Sequence, residues 1–174
     1  MKVTTTKLPG VIIIEPKLHG DERGYFLETF QAERYKELAG INLPFVQDNQ
    51  SRSAKGVLRG LHYQIKKQQG KLVRVTRGEV FDVAVDINPE SPTYAQWEGV
   101  HLSEGNHLQF YVPPGYAHGF LVLSETADFS YKCTDYYEAT DEGGVHWNDP
   151  SLKIEWPSTK PIVSEKDSAL PFLA

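Results

Sequence analysis

Seven polar side chains stand in stretches that otherwise read as strands or strand ends: Arg59, His62, Gln64, Lys71, Asp82, His118 and Tyr131. Their types are those that proton transfer and anion binding require. A free imidazole titrates near pH ~6.5 and can move a proton in either direction at working pH. A phenol, with a pKa of about 10, stays protonated at neutrality and can give its proton to a stronger base. A fixed lysine can stabilise a developing oxyanion. An arginine takes phosphate through paired, charge-assisted hydrogen bonds. Each residue also has an ordinary reading. A strand histidine is commonly a surface or satisfied residue, a strand tyrosine commonly packs, Asp82 could face water, and Lys71 follows Gly70 in a turn. No single residue carries a function, so the case rests on the set and on what holds it together.

The elements that must hold it are strands. Along Glu79–Ile87, Phe81, Val83, Val85 and Ile87 share one face, and Val80, Asp82, Ala84 and Asp86 share the other. His107–Val112 alternates in the same way. Further strands are expected at Val11–Glu15, Tyr25–Phe30, Leu58–Gln64, Leu72–Thr76, Ala95–Leu102, Gly119–Leu123 and Phe129–Tyr136. Turn signals such as Asn88-Pro89, Pro113-Pro114-Gly115 and Gly143-Gly144 separate them at short intervals, a pattern of sandwiches and barrels. Ala32, Tyr35, Leu38 and Ala39 follow helical spacing, so a helix is expected over Gln31–Ala39 with Gly40 at its end. A further helical turn is expected from Ser164. No repeat, linker or charge block divides the chain, which reads as one domain over residues 1–174.

Composition narrows the classes. The 174 residues are 40% apolar and 24% charged, close to the globular average, which argues against wholesale disorder. A formal net charge of -5 argues against a nucleic-acid binder, whose affinity rests on a basic face. It leaves room for a small anionic ligand, which two or three placed cations suffice to bind. The longest aliphatic run is Val11–Ile14, far short of the roughly 20 residues of a membrane span. The first residues carry no apolar signal-peptide core. Cys133 is the single cysteine, so no internal disulfide and no cysteine-rich zinc site can form. The expectation is a cytoplasmic protein that meets no membrane.

Eight ordered runs make the set coherent: Asp21–Glu28, Gln47–Ser51, Gly56–Gln64, Gln69–Val75, Gly78–Asp86, Pro113–Phe120, Tyr131–Tyr137 and Ser164–Asp167. Together they resemble the dTDP-4-dehydrorhamnose 3,5-epimerases through nearly the whole chain. The resemblance implies an all-β double-stranded β-helix, the jelly roll of the cupin superfamily, with a few short helices. It also implies inversion of C3 and C5 of a dTDP-linked 4-keto-6-deoxyhexose in dTDP-L-rhamnose biosynthesis. Both carbons flank a carbonyl, so their protons are acidic through the enolate. Such a reaction needs a base, a group for the enolate oxygen and an acid on the opposite ring face.

The same resemblance implies roles by position. His62 is the base, and Asp167 is the carboxylate that fixes its tautomer. Tyr131 is the acid, and Lys71 stabilises the enolate. Asp82 and His118 orient the sugar and Lys71. Arg59 and Arg23 take the diphosphate, with Gln47 and Asn49 as neutral donors nearby. Phe26 stacks on thymine and Glu28 accepts from its ring N–H. Gln64, Tyr137, Glu142 and Lys166 complete the binding set. Tyr137 lies six residues after Tyr131, so both share a face if that strand is regular. The Arg23–Glu28 segment comes from a neighbouring subunit in the family, which implies a homodimer with shared sites.

One spacing conflicts with this scheme. Arg59 and His62 are three apart, so a regular strand points them to opposite faces. Gly60 between them could allow a bulge that reconciles them. No cofactor is expected. Metal-binding cupins commonly present His-x-His, whereas this chain reads His62-Tyr63-Gln64, and His101 and His107 stand isolated, so no required metal is expected. Three alternatives carry distinct signatures. A one-carbon epimerase would keep the same acid and base. A non-catalytic nucleotide-sugar-binding cupin could lose His62 or Tyr131. A metal-dependent cupin oxygenase or isomerase would need the missing imidazole.

Overall fold

The computed structural model describes residues 1–173. In chain order its strands are β1 Lys2–Thr5, β2 Ile12–Glu15, β3 Leu18–Asp21 and β4 Gly24–Leu27, followed by helix α1 Ala32–Ala39. Then come β5 Gln47–Ala54, β6 Leu58–Gln64, β7 Lys71–Arg77, β8 Glu79–Asp86, β9 Trp97–Ser103, β10 Gln109–Val112, β11 Tyr116–Val122 and β12 Thr126–Cys133. Strand β13 Glu142–Gly144 and the short helix α2 Glu165–Ser168 complete it.

Two antiparallel sheets face each other. The first has the order β1-β2-β10-β7-β12-β5, and the second β13-β6-β11-β8-β9. This is the jelly roll that the resemblance implies. Between the sheets lies an apolar core that joins Val73, Phe110 and Phe129 from the first sheet to Val80, Leu102 and Phe120 from the second. Phe120 and Phe129 stack across the gap with ring centroids 4.1 Å apart. Burial of each such ring contributes about 1.5–3 kcal/mol. The alternation read in β8 has a double use. Val80 and Ala84 face this central core, while Phe81, Val83 and Val85 pack outward against Trp97, Leu152 and Trp156. Asp82 therefore does not face water: it is 0% exposed, on the inner face.

Helix α1 forms where its spacing predicts. The Gln31 side chain accepts from the Arg34 N–H at its start, and Gly40 closes it in the left-handed conformation at φ 69°. Buried Tyr35 ties it to the first sheet, its hydroxyl donating to Gln109 Oε1 at 2.8 Å. Strand β12 ends at Cys133 rather than Tyr136, and β11 starts at Tyr116 rather than Gly119. Strand β4 pairs only with β3, as a separate two-stranded hairpin. The largest difference from expectation is β5. Its sequence, Gln-Asp-Asn-Gln-Ser-Arg-Ser-Ala, has no apolar alternation, yet it pairs along its whole length with β12. No helix among the described residues is long and apolar enough to cross a membrane.

Candidate active site

A bulge decides what β6 presents. Opposite β11, His62 pairs with His118 and Arg59 with Phe120, so three steps on β6 match two on β11. The extra residue turns Arg59 and His62 to the same side, and the conflict in their spacing disappears. Gly60 makes this possible. Its φ is 121°, and a Cβ there would lie 2.6 Å from the Gly119 Cα. The Gly60–Leu61 peptide bond is cis. Arg59 reaches across to the other sheet, where its Nε donates to Ser53 Oγ at 3.0 Å, leaving its terminal nitrogens unpaired among the described residues.

His62 is held from behind. Its Nε2 lies 2.7 Å from Asp167 Oδ1, and Asp167 Oδ2 accepts the Gly60 N–H at 3.1 Å. Asp167 sits in α2, whose N-cap Ser164 accepts the Asp167 N–H. Burial pushes the Asp167 carboxyl up, but the His62 hydrogen bond and charge, the Gly60 N–H and the Lys166 charge outweigh it. The net shift is below the ordinary carboxylate value, so Asp167 is an anion at neutral pH. It fixes the orientation of the imidazole.

The facing wall comes from the first sheet. Tyr131 on β12 pairs directly with Asn49 on β5 and Val73 on β7, and Lys71 pairs with Cys133. His62, Lys71, Tyr131, Asn49, Gln47 and Glu142 line one cleft of about 230 Å³ between the sheets. Burial raises the Tyr131 pKa, so its phenol keeps its proton. Burial lowers the Lys71 pKa, opposed by its electrostatic interactions with Cys133, Asp82 and Glu142. Neither the Lys71 ammonium nor the Tyr131 hydroxyl has a hydrogen-bond partner among the described residues. Polar groups aimed into a cleft without protein partners are seats for a ligand.

Behind Lys71, Asp82 binds His118 Nε2 through both oxygens, at 3.1 and 2.9 Å. Burial raises the Asp82 pKa, against the His118 charge, the His118 hydrogen bond and the Lys71 charge. At the rim, Glu142 Oε2 accepts from the Tyr137 hydroxyl at 2.7 Å and from Lys166 Nζ at 2.6 Å. Tyr137 does reach the cleft, but from the segment after β12 rather than along a regular strand.

Sequence reasoning missed Tyr63 and Gln69, which also line the cleft. Both lie in the quoted runs, next to His62 and Gly70. Three expected residues stand apart. Arg23 pairs with Asp21, Glu28 pairs with Arg34, and Phe26 is 70% exposed on the β3–β4 hairpin. Phe26 and Glu28 line a separate hollow with Lys17, His19 and Arg34. One chain does not bring them to the cleft. Among the described residues, no three His, Cys, Asp or Glu side chains gather as metal ligands.

The arrangement suits carbon acids. A carboxylate-backed imidazole faces a protonated phenol across a cleft, with an unpaired ammonium beside the phenol. Comparison with known proteins agrees. Residues 5–174 match the family model described as dTDP-4-dehydrorhamnose 3,5-epimerase. The dTDP-4-dehydrorhamnose 3,5-epimerase of Pseudomonas aeruginosa is 55% identical over 168 residues, 96% of this chain and 93% of that protein. The dTDP-6-deoxy-D-glucose-3,5-epimerase of Legionella pneumophila, solved with dTDP-4-keto-L-rhamnose, superposes with a TM-score of 0.96 at 58% identity. That match covers 99% of this chain and 92% of the other. A dTDP-4-dehydrorhamnose 3-epimerase of Streptomyces niveus is 38% identical, over 100% of this chain and 84% of that protein. On the family model and on identity over nearly its full length, this chain belongs to the dTDP-4-dehydrorhamnose 3,5-epimerase family.

Proposed function

We propose that this chain inverts C3 and C5 of dTDP-4-dehydro-6-deoxy-D-glucose, giving dTDP-4-dehydro-L-rhamnose. The observation that carries the reading is the pairing of His62 with Asp167 on one wall and the free Tyr131 hydroxyl and Lys71 ammonium on the other. His62 removes the proton from the carbon next to the C4 carbonyl, and the C–H electrons move into the enolate. Lys71 holds the charge that develops on the C4 oxygen. Tyr131 returns a proton from the opposite ring face, which inverts the centre, and solvent resets both groups. The same sequence at the second carbon completes the reaction. Each step is a proton transfer, so the cycle calls for neither a redox cofactor nor an electrophilic metal.

The terminal nitrogens of Arg59 take the diphosphate, with Gln47 and Asn49 as neutral donors. Arg23, Phe26 and Glu28 reach the nucleotide of a second copy from the β3–β4 hairpin, so the working form is a homodimer. Arg23 and Phe26 are exposed, and none of the three lines the cleft of its own chain, which supports this reading. The whole of residues 1–174 acts as one catalytic unit.

Product analysis tests the proposal. Purified, EDTA-treated protein is incubated with dTDP-4-keto-6-deoxyglucose, and ring proton couplings are read by NMR. The expected product has both centres inverted, with unchanged rate after chelation. Inversion at C3 alone would place the chain with the 3-epimerases, and no inversion would refute an enzymatic role. Tyr131→Phe removes only the hydroxyl. It is expected to cut inversion by about 10²- to 10⁴-fold while deprotonation continues, which gives isotope exchange without inversion.

A further inference from the structure

Four consecutive residues of a segment outside any strand or helix are held by glutamine side chains. The Asp135 carbonyl accepts from Gln69 Nε2 at 2.8 Å, and the Tyr136 carbonyl accepts from Gln64 Nε2 at 3.2 Å. The Tyr137 N–H donates to Gln47 Oε1 at 2.9 Å, and the Glu138 N–H donates to Gln64 Oε1 at 2.7 Å. Gln64 is 4% exposed, and its second amide hydrogen goes to the Lys67 carbonyl at 2.6 Å. Both of its donor hydrogens are therefore spent on backbone. None is left for a sugar hydroxyl or a phosphate.

The segment matters because of what it carries. Tyr137 lines the cleft, and its hydroxyl meets Glu142, which Lys166 grips from the residue beside Asp167. A surface segment with no ladder hydrogen bonds would ordinarily sample many positions. Here neutral amides from β5, β6 and the turn before β7 replace the ladder, and none of them titrates. We propose that Gln64 and Gln69, with Gln47, are positioning residues that fix the backbone of residues 135–138 and so hold Tyr137 as a rigid side of the cleft; Gln64 is not a ligand of the substrate. The kinetic consequence rests on the proposed epimerase reaction. The structural consequence does not.

The test uses Gln64→Met, of similar volume but without the three hydrogen bonds, and Gln69→Met, which loses one. Hydrogen exchange is followed by mass spectrometry on peptides covering residues 134–138. Wild-type exchange there is expected to be slow. Gln64→Met is expected to raise it about tenfold, and Gln69→Met less, with exchange in β12 unchanged. With dTDP-4-keto-6-deoxyglucose, kcat of Gln64→Met is expected to fall about 10- to 100-fold while KM stays within about twofold. Unchanged exchange in the segment would overturn the proposal. So would a loss confined to KM, which would make Gln64 a substrate ligand. Should Gln64→Met fail to fold, the exchange result for Gln69→Met decides.

Discussion

Replacing His62 by alanine is expected to abolish deuterium uptake at both C3 and C5. Among the described residues no other imidazole lines the cleft: His118 is buried against Asp82, and His101 is bonded to Glu79 at the surface. Loss of a positioned general base costs about 10²- to 10⁴-fold, which takes exchange at both carbons below detection on the time scale of wild-type turnover. Binding of dTDP stays close to wild type, because the proposed nucleotide contacts lie at Arg59 and beyond. The buried Asp167 then loses its partner, which lowers the unfolding temperature by a modest amount. The measurements are proton NMR in deuterium oxide, calorimetric dTDP binding and a melting curve. Exchange retained at either carbon would remove His62 as the common base.

The second large effect belongs to Lys71. Lys71 is half-buried as a residue, burial desolvates its charged end, Asp82 interacts with it electrostatically, and its Nζ has no hydrogen-bond partner among the described residues. Such a cation costs stability and is retained for what it does to a ligand. Lys71→Met keeps the length of the side chain and removes the charge. It is expected to lower kcat about 10²- to 10³-fold, the usual loss when a fixed group facing a developing oxyanion is deleted. The unfolding temperature is expected to stay level or rise, because a desolvated charge has been replaced by an apolar chain. A variant with near wild-type kcat would assign enolate stabilisation to another group. A clear drop in melting temperature would make Lys71 a structural residue.

Residue patterns alone reached the β architecture because most strands bury apolar side chains in alternation. They failed where the buried face is polar. Strand β5 lines the cleft with Gln47 and Asn49, so the hydrophobic signal that marks a strand is missing at the site itself. The His62–Asp167 pair joins residues 105 apart, and no local pattern reveals such a contact; the family resemblance supplied it. The bulge at Gly60 was legible as a possibility, since only a glycine tolerates that backbone, but the register opposite β11 fixes it. Asp82 shows the limit of alternation: the period gives two faces and does not say that both are buried. Gln64 lines the cleft, and both of its amide hydrogens go to backbone carbonyls at Lys67 and Tyr136, contacts that no local pattern in the sequence reveals. The resemblance assigns Arg23, Phe26 and Glu28 to a neighbouring subunit's site, and within one chain they stand apart from the cleft.

The central claim is that one cleft deprotonates two carbons on either side of a carbonyl. Incubation of the EDTA-treated wild-type protein with dTDP-4-keto-6-deoxyglucose in deuterium oxide tests it most directly. The account predicts loss of both the C3 and the C5 proton signals, each far faster than in a control without protein. Loss at neither carbon, with dTDP still bound, would contradict it.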